Sequence, residues 1–335
     1  MKIIIPVAGV GKRLRPHTHT NPKPLLNVAG KPMIHFIVDQ IIKEKIASEF
    51  VIITGYMGEK IQKYLDKTFA GKAKFHYVEQ KDPKGLGHAI HHAKPFFKKN
   101  EDAFIILGDT LFDVNLKKFV GSKHSVIGVK EVDNPKRFGV VEKDEKGLVK
   151  RFVEKPKSKK VSPSNEAIVG LYYVKNSKAL FAALESIMKK KITTGGEYQL
   201  TDALEEMLSK NENFATANIQ GWLDCGKAET LLETNRHLLE KLYGKKKYKL
   251  KGVKITEPVY IGKKVTFKNA VIGPNVTIND GCSIINSTLK DSIVEMDTII
   301  ENSNINESII GKNSIVKNVK LKLNVGDNSE IYSNS

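Results

Sequence analysis

The chain opens on an unbroken apolar run, Ile3-Ile4-Ile5 followed by Val7, without the alternation of a strand that faces water on one side. Such a run predicts a strand buried on both faces. Residues 50–55 (FVIITG), 75–80 (FHYVEQ) and 103–109 (AFIILGD) repeat the pattern. Helical spacing falls between them, at about 57–68 and from Gly85-Leu86-Gly87 to about 97, and a further helix is expected to begin near Gly30-Lys31-Pro32. Strand, crossover helix, strand predicts an open, mainly parallel sheet with helices on both faces. From Ser125 the texture changes. SVIGVKEV, FGVVEKD, LVKRFVEKP and AIVGLYYV are strand-like runs separated by polar turns, which predict an antiparallel insert, or lid, laid over the first sheet. Helices at about 177–190 and 197–210 follow. Residues 214–226 then return to the core, and a helix at 227–243 leads into the lysine-rich stretch 244–254, the expected linker.

Beyond Lys254 a shorter period takes over. Ile272, Ile278 and Ile284 fall six apart, as do Ile293, Ile299 and Ile305, and again Ile310 and Val316. Ile-Gly pairs recur at Ile261-Gly262, Ile272-Gly273 and Ile310-Gly311, with Asn, Ser, Asp and Thr between them. One inward aliphatic per six-residue flat predicts a parallel β-helix whose coils stack. The expected organisation is residues 1–243, a linker at 244–254 and a β-helix over 255–335.

At 335 residues, 40% hydrophobic and 27% charged, the composition is that of a globular protein with chain enough for a real core. No apolar run approaches the ~20 residues a membrane helix needs. Residue 1 leads straight into a strand, so no secretory signal is read, and Cys225 and Cys282 are the only cysteines. A reduced, cytoplasmic setting is expected, with no membrane partner. The net charge of +18 raises the question of nucleic acid. The lysines are scattered, however, and no aromatic platform accompanies them, so no nucleic-acid partner is expected. A basic surface also attracts a small polyanionic substrate.

Candidate chemistry centres on residues 2–33. After the first strand come Gly9 and Gly11, then Lys12, Arg13 and Arg15, then Lys23 held between Pro22 and Pro24. Glycines expose backbone N–H groups to a ligand, and arginine and lysine supply charge for phosphate. Two common phosphate motifs fail. Arg13 follows Gly11-Lys12 where a P-loop needs Ser or Thr, and Leu14 stands at the third glycine of the dinucleotide fingerprint. His88, His91 and His92 lie at helical spacing, but Ala89 occupies the position where a zinc-protease motif needs glutamate, so no zinc site is read.

The string GxGKRLRPxTxxxPKPL, followed in order by EQKDPKGLGHA, LGD, FGVV, VEKP, VGLYY, EYQLTD and WLDCG, resembles the nucleotide-sugar pyrophosphorylases, the sugar-1-phosphate nucleotidyltransferases. The likeness spans residues 1 to about 240, and the tail resembles the left-handed β-helix of long-form members. It implies an α/β fold with a Rossmann-like mixed, mainly parallel sheet, followed by a small left-handed parallel β-helix. In the reaction it implies, a sugar-1-phosphate attacks the α-phosphorus of a nucleoside triphosphate and expels pyrophosphate. The nucleophile is already anionic, so positioning and charge neutralisation suffice and no general base is needed. Arg13, with the backbone of Gly9 and Gly11, suits the pyrophosphate, Ala8 falls at the nucleotide, and Lys23 suits the α-phosphate. The resemblance makes Asp109 and Asp224, each closing an apolar strand, the ligands of a Mg²⁺ cofactor. It places Gln80 and Gly85 at the base, whose amide can donate and accept toward the imide edge of uracil or thymine. Gly139, Glu154, Lys155, Gly170 and Tyr172 fall at the sugar phosphate.

The leading expectation is transfer of a nucleotidyl group from dTTP or UTP to glucose-1-phosphate, with a narrow preference for the thymidylyl branch. Two alternatives are weighed against it. A bifunctional nucleotidyl/acetyltransferase would need a histidine base in the tail, and no histidine occurs after His237. A non-catalytic regulatory homologue would have lost Arg13, Lys23, Asp109 and Asp224. A homo-oligomer is expected, and deletion of the tail beyond Lys254 is expected chiefly to alter assembly.

Overall fold

The computed structural model describes residues 1–333. Packing gathers them into two units that do not follow chain order. Met1–Gly9 and Ile37–Trp222 form one, and Val10–Phe36 joins the chain from Leu223 onward in the other.

The first unit is built on a nine-stranded sheet. Its strands are β1 (Lys2–Pro6), β2 (Glu49–Thr54), β3 (Lys74–Glu79), β4 (Ala103–Ile106), β5 (Ser125–Glu131), β6 (Gly139–Lys143), β7 (Val149–Glu154), β8 (Glu166–Val174) and β9 (Phe214–Asn218). The order is β7-β6-β8-β4-β1-β2-β3, with β5 also on β8 and β9 beside β5. β3, β2, β1 and β4 run parallel. Ile3, Ile4 and Ile5 are wholly buried in the middle, as the unbroken apolar run requires.

The expected lid is not a lid. β8 pairs antiparallel with β4, Leu171 opposite Ile106 and Val174 opposite Ala103, so the later strands extend the same sheet. The reason is in the side chains: Ala167 through Val174 are all buried, and a strand with two apolar faces needs cover on both. The helices Ser177–Lys189 and Leu200–Leu208 supply part of that cover through Leu180, Phe181, Leu184, Ile187, Leu204 and Met207. The helix expected to reach residue 97 stops at His91. Lys94–Phe96 then forms a separate 3-10 turn around Pro95, which cannot donate to a continuing helix. The helix expected near residue 30 begins at Met33, because Lys31–Pro32 pairs with Asn27–Val28 in a two-residue ladder.

In the second unit the tail winds into three five-stranded parallel sheets, the stacked coils of a β-helix. Coil length falls along it: 17 residues separate Asn269 from Asn286, 16 separate Asn286 from Asn302, and 15 separate Asn313 from Asn328. A strict six-residue period therefore cannot persist. Ile272, Ile278 and Ile284 point inward as expected, but the row continues through Leu289, Val294, Ile300, Ile305, Ile310 and Val316, all buried, while Ile299 is 37% exposed. One corner is an asparagine ladder. Asn269, Asn286, Asn302 and Asn318 have positive φ, which asparagine tolerates, and each amide donates to the next at 3.2, 3.1 and 3.3 Å.

One of the three sheets is buried on its outer face as well, at Thr277, Ile293 and Ile309. The helix Ala228–Tyr243 and the segment Val10–Phe36 cover it within the same unit. Asn235, wholly buried, accepts from the Ala29 amide at 2.8 Å and the Thr277 hydroxyl at 2.7 Å. His17 Nε2 meets Asn324 Oδ1 at 2.7 Å, Thr20 donates to Asp327 at 2.7 Å, and Asn27 donates to Glu295 at 2.8 Å. The tail thus has an intramolecular task in addition to any role in assembly.

Burial pushes the Glu295 carboxyl up to about 7, with Asp327 adding to it and the Asn27 amide opposing it. In the unfolded chain the group ionises near 4.5. Its stabilising contribution is therefore complete below about pH 4.5, falls between about 4.5 and 7 as only the unfolded chain gives up the proton, and stays low above that. Glu295→Gln is expected to flatten this fall, whose ceiling is on the order of 3 kcal/mol. Thermal unfolding of both proteins from pH 5 to 8 measures it; parallel profiles would refute the assignment.

Candidate active site

In the first unit, the candidate residues lie in the turns that leave β1, β3 and β4 and on the strands beyond. Ala8 is seated against Gly55, where a Cβ would stand 2.7 Å from the Ala8 carbonyl oxygen, and Gly9 follows with open space around it. Gln80 continues β3, its N–H bonded to the Thr54 carbonyl at 2.8 Å, and is only 7% exposed. Its amide nitrogen lies 3.2 Å from the Gly85 carbonyl oxygen and 3.0 Å from His88 Nδ1. Gly85 has φ 106 and ψ 172, a backbone conformation that glycine alone adopts without strain. The segment ahead of the helix Leu200–Leu208 clamps this loop from outside: Tyr198 N–H donates to Lys84 O at 2.9 Å, and Gly87 N–H donates to Tyr198 O at 2.8 Å.

A second group gathers on β6, β7 and β8. A Cβ on Gly139 would sit 2.7 Å from Thr201 Oγ1 and 3.0 Å from Glu154 Oε2, so the glycine leaves room beside that carboxylate. The Glu154 side chain is 8% exposed, and Lys155 Nζ lies 3.3 Å from its Oε1. Lys155 has φ 45, a left-handed conformation costing a non-glycine residue roughly 1–2 kcal/mol, and its N–H is tied to Phe138 O at 3.0 Å. Gly170 (φ 89) lies where the pairing register of β8 shifts, and its carbonyl accepts from Leu107 N–H at 3.0 Å, close in sequence to Asp109. The Tyr172 phenol is pushed up by burial and then by the Glu154 and Asp109 carboxylates, so these three residues share one electrostatic neighbourhood. Asp202 is raised by burial too, with Glu154 and Glu205 adding to it against the Thr194 hydroxyl.

The remaining candidates belong to the second unit. Gly11 adopts φ 69 and ψ 35, and a Cβ there would press on Thr18 Cγ2 at 3.0 Å and Lys23 Cβ at 3.1 Å. Thr18, 1% exposed, donates to Gly11 O at 3.0 Å and closes the turn. Lys23 is 8% exposed, held in the 3-10 turn Lys23–Leu25 that Pro22 opens. Arg13 and Asp224 meet around Gly226, whose absent Cβ would lie 3.1 Å from Arg13 Nη2 and 3.0 Å from Asp224 Oδ1. Asp224 closes the strand Gly221–Asp224. Asp109, in the first unit, follows β4 and accepts from the Thr110 hydroxyl at 3.3 Å.

Several residues carry contacts that the sequence reading did not assign. Thr18, His88, Tyr198, Thr201, Asp202 and Gly226 all sit inside or beside the recognised strings, yet they act through backbone contacts or through other side chains. Among the described residues no group of three or more His, Cys, Asp or Glu could hold a metal ion. The carboxylates of Asp109 and Asp224 are hard oxygen donors, the kind that Mg²⁺ takes. No helix among the described residues is long and apolar enough to cross a membrane.

The nucleotidyl transferase family profile matches residues 2–241. The bifunctional protein GlmU of Methanocaldococcus jannaschii is 35% identical over 274 residues, 81% of this chain but only 61% of the relative. The UTP–glucose-1-phosphate uridylyltransferase of Staphylococcus epidermidis is 36% identical over 248 residues, 64% of this chain and 83% of the relative. A crystal structure of UDP-glucose pyrophosphorylase complexed with UDP-glucose superposes with a TM-score of 0.62 at 28% identity, covering 72% of this chain and 98% of that one. This chain belongs to the nucleotidyl transferase family, among its nucleotide-sugar pyrophosphorylases.

Proposed function

We propose that the protein transfers a nucleotidyl group from UTP or dTTP to glucose-1-phosphate, giving UDP- or dTDP-glucose and pyrophosphate. The observation that carries the sugar side is Glu154, mostly buried beside the gap left by Gly139 and paired with Lys155 in a strained conformation. A carboxylate in that setting accepts from sugar hydroxyls, while the ammonium takes the phosphate. On the base side, Gln80 offers hydrogen bonding in a nearly closed setting. The names of the Staphylococcus relative and of the superposed structure, both acting on uridine nucleotides and glucose, support a pyrimidine reading and weigh toward UTP.

In this reading a phosphate oxygen of glucose-1-phosphate forms the new bond to the α-phosphorus, and the bond from that phosphorus to the bridging oxygen of pyrophosphate breaks. No proton needs to move. Lys23 neutralises charge at the α-phosphate, and Arg13 with the amides about Gly9 and Gly11 holds the departing pyrophosphate. Asp109 and Asp224 would hold Mg²⁺, which when bound supplies charge neutralisation to the phosphates.

The decisive experiment is pyrophosphate release with five triphosphates (UTP, dTTP, CTP, GTP, ATP) against the 1-phosphates of glucose, galactose, mannose and N-acetylglucosamine. Highest turnover is expected with a uracil or thymine nucleotide and glucose-1-phosphate. GTP with mannose-1-phosphate winning would overturn the reading of Gln80, and no turnover with any pair would sink the enzymatic reading. Separately, Asp224→Asn and Asp109→Asn are each expected to weaken Mn²⁺ binding to the nucleotide-loaded protein, followed by electron paramagnetic resonance. Unchanged binding in the double variant would remove both from the metal site.

A further inference from the structure

The amide of Gln80 is half spent. Its terminal nitrogen faces both the Gly85 carbonyl oxygen and His88 Nδ1. A carbonyl oxygen only accepts, so the Gln80 atom beside it is the NH₂ group, and that group can only donate to His88. His88 Nδ1 therefore carries no proton, and the ring proton sits on Nε2. Both amide hydrogens of Gln80 are consumed inside the protein. Its carbonyl oxygen has no hydrogen-bond partner among the described residues.

We propose that His88 is a specificity-determining residue: by accepting from Gln80 it locks the amide with Oε1 reserved for the ligand, so the site takes a base that presents an N–H there. This deepens the pyrimidine reading and rests on Gln80 facing the base. Uracil and thymine bring N3–H. Cytosine brings a lone pair at N3, which would confront the lone pairs of Oε1. Accommodating it requires turning the amide, which would aim Oε1 at the Gly85 carbonyl and forfeit the bond to His88. A buried polar group left unmatched in this way gives a preference of about fivefold to a hundredfold.

The surroundings favour the accepting ring. Burial holds the His88 imidazole below its ordinary range, helped by the neighbouring charges of His92, Lys84 and His91 and opposed by Asp82, so the neutral form prevails at neutral pH. His88 also packs edge-on against His92 with ring centroids 4.7 Å apart, which a flat apolar ring could reproduce. That separates packing from hydrogen bonding.

The test compares His88→Phe, which keeps a ring but removes the acceptor, with His88→Asn, which restores an accepting oxygen. For His88→Phe, KM for the preferred triphosphate is expected to rise about tenfold with kcat within threefold, and the preference for UTP and dTTP over CTP to fall at least fivefold. His88→Asn should keep most of that preference. Matched thermal unfolding checks that both variants are folded. An undiminished preference in folded His88→Phe overturns the proposal, and so does a loss in His88→Asn equal to that in His88→Phe. Gln80→Leu tests the underlying reading separately: if it leaves base preference untouched, Gln80 does not face the base, whatever the His88 variants do.

Discussion

Lys23→Ala is expected to lower kcat by about a thousandfold while the protein stays folded. Negative charge accumulates around the α-phosphorus as one oxygen arrives and another departs, and a fixed donor aimed there is worth roughly 3–4 kcal/mol. Lys23 is suited to this because it is 8% exposed and has little freedom: its turn is opened by Pro22, and its Cβ lies 3.1 Å from where Gly11 would carry one. Lys23→Arg should rescue little, because a planar guanidinium needs more room than a crowded turn allows. Steady-state pyrophosphate release gives the rate, and circular dichroism with thermal unfolding checks the fold. Retention of more than a tenth of the rate in Lys23→Ala would remove the residue from the reacting centre.

Legibility in the sequence was uneven, and the physical reasons differ by element. The central strands were plain because Ile3-Ile4-Ile5 and the runs at 50–55 and 103–109 have no polar face, and only the middle of a parallel sheet accepts that. AIVGLYYV has the same texture, yet it was read as a lid: periodicity reports how many faces are buried and not which strand lies alongside. The β-helix was legible from its aliphatic rows, while its coil length was not. The coil from Asn286 to Asn302 holds 16 residues where three six-residue flats would need 18, so inward positions fall five or six apart and the row runs through Val294, Ile300 and Ile305 while Ile299 turns out.

The candidate site was readable where chemistry and glycine coincide in one short string, as at Gly9, Gly11, Arg13 and Lys23. It was unreadable where a distant backbone does the holding. Nothing in the sequence says that Tyr198 offers its N–H and carbonyl to the loop at Lys84 and Gly87. Nor do His17, Thr20 and Asn27, ordinary loop residues by composition, announce that they dock on Asn324, Asp327 and Glu295. Those contacts change the expectation for the tail. Its removal would strip cover from the segment that carries Arg13 and Lys23, so an effect on turnover is expected besides any effect on assembly.

Gly85→Ala should lower kcat/KM for the nucleotide by about a hundredfold, mostly through KM. The added methyl would lie 2.6 Å from Tyr198 O, 2.8 Å from Glu197 Cβ and 2.9 Å from Tyr198 N. These are backbone and Cβ atoms that no rotamer change can move aside. Either the loop or the 197–199 segment must shift, and both backbone bonds that clamp them go with it. The φ of 106 adds strain of roughly 1–3 kcal/mol for any side chain. Gln80 then loses the Gly85 carbonyl that fixes its amide, so the damage falls on nucleotide binding more than on the rate once bound. Gly71→Ala is the matched control. It has φ 71 with nothing within 4 Å of the new methyl, so it incurs conformational strain without the collision. Titration calorimetry with the preferred triphosphate should show Gly71→Ala near wild type and Gly85→Ala severely weakened. A Gly85→Ala affinity within threefold of wild type would mean that the grip of Tyr198 on the loop does not govern nucleotide binding.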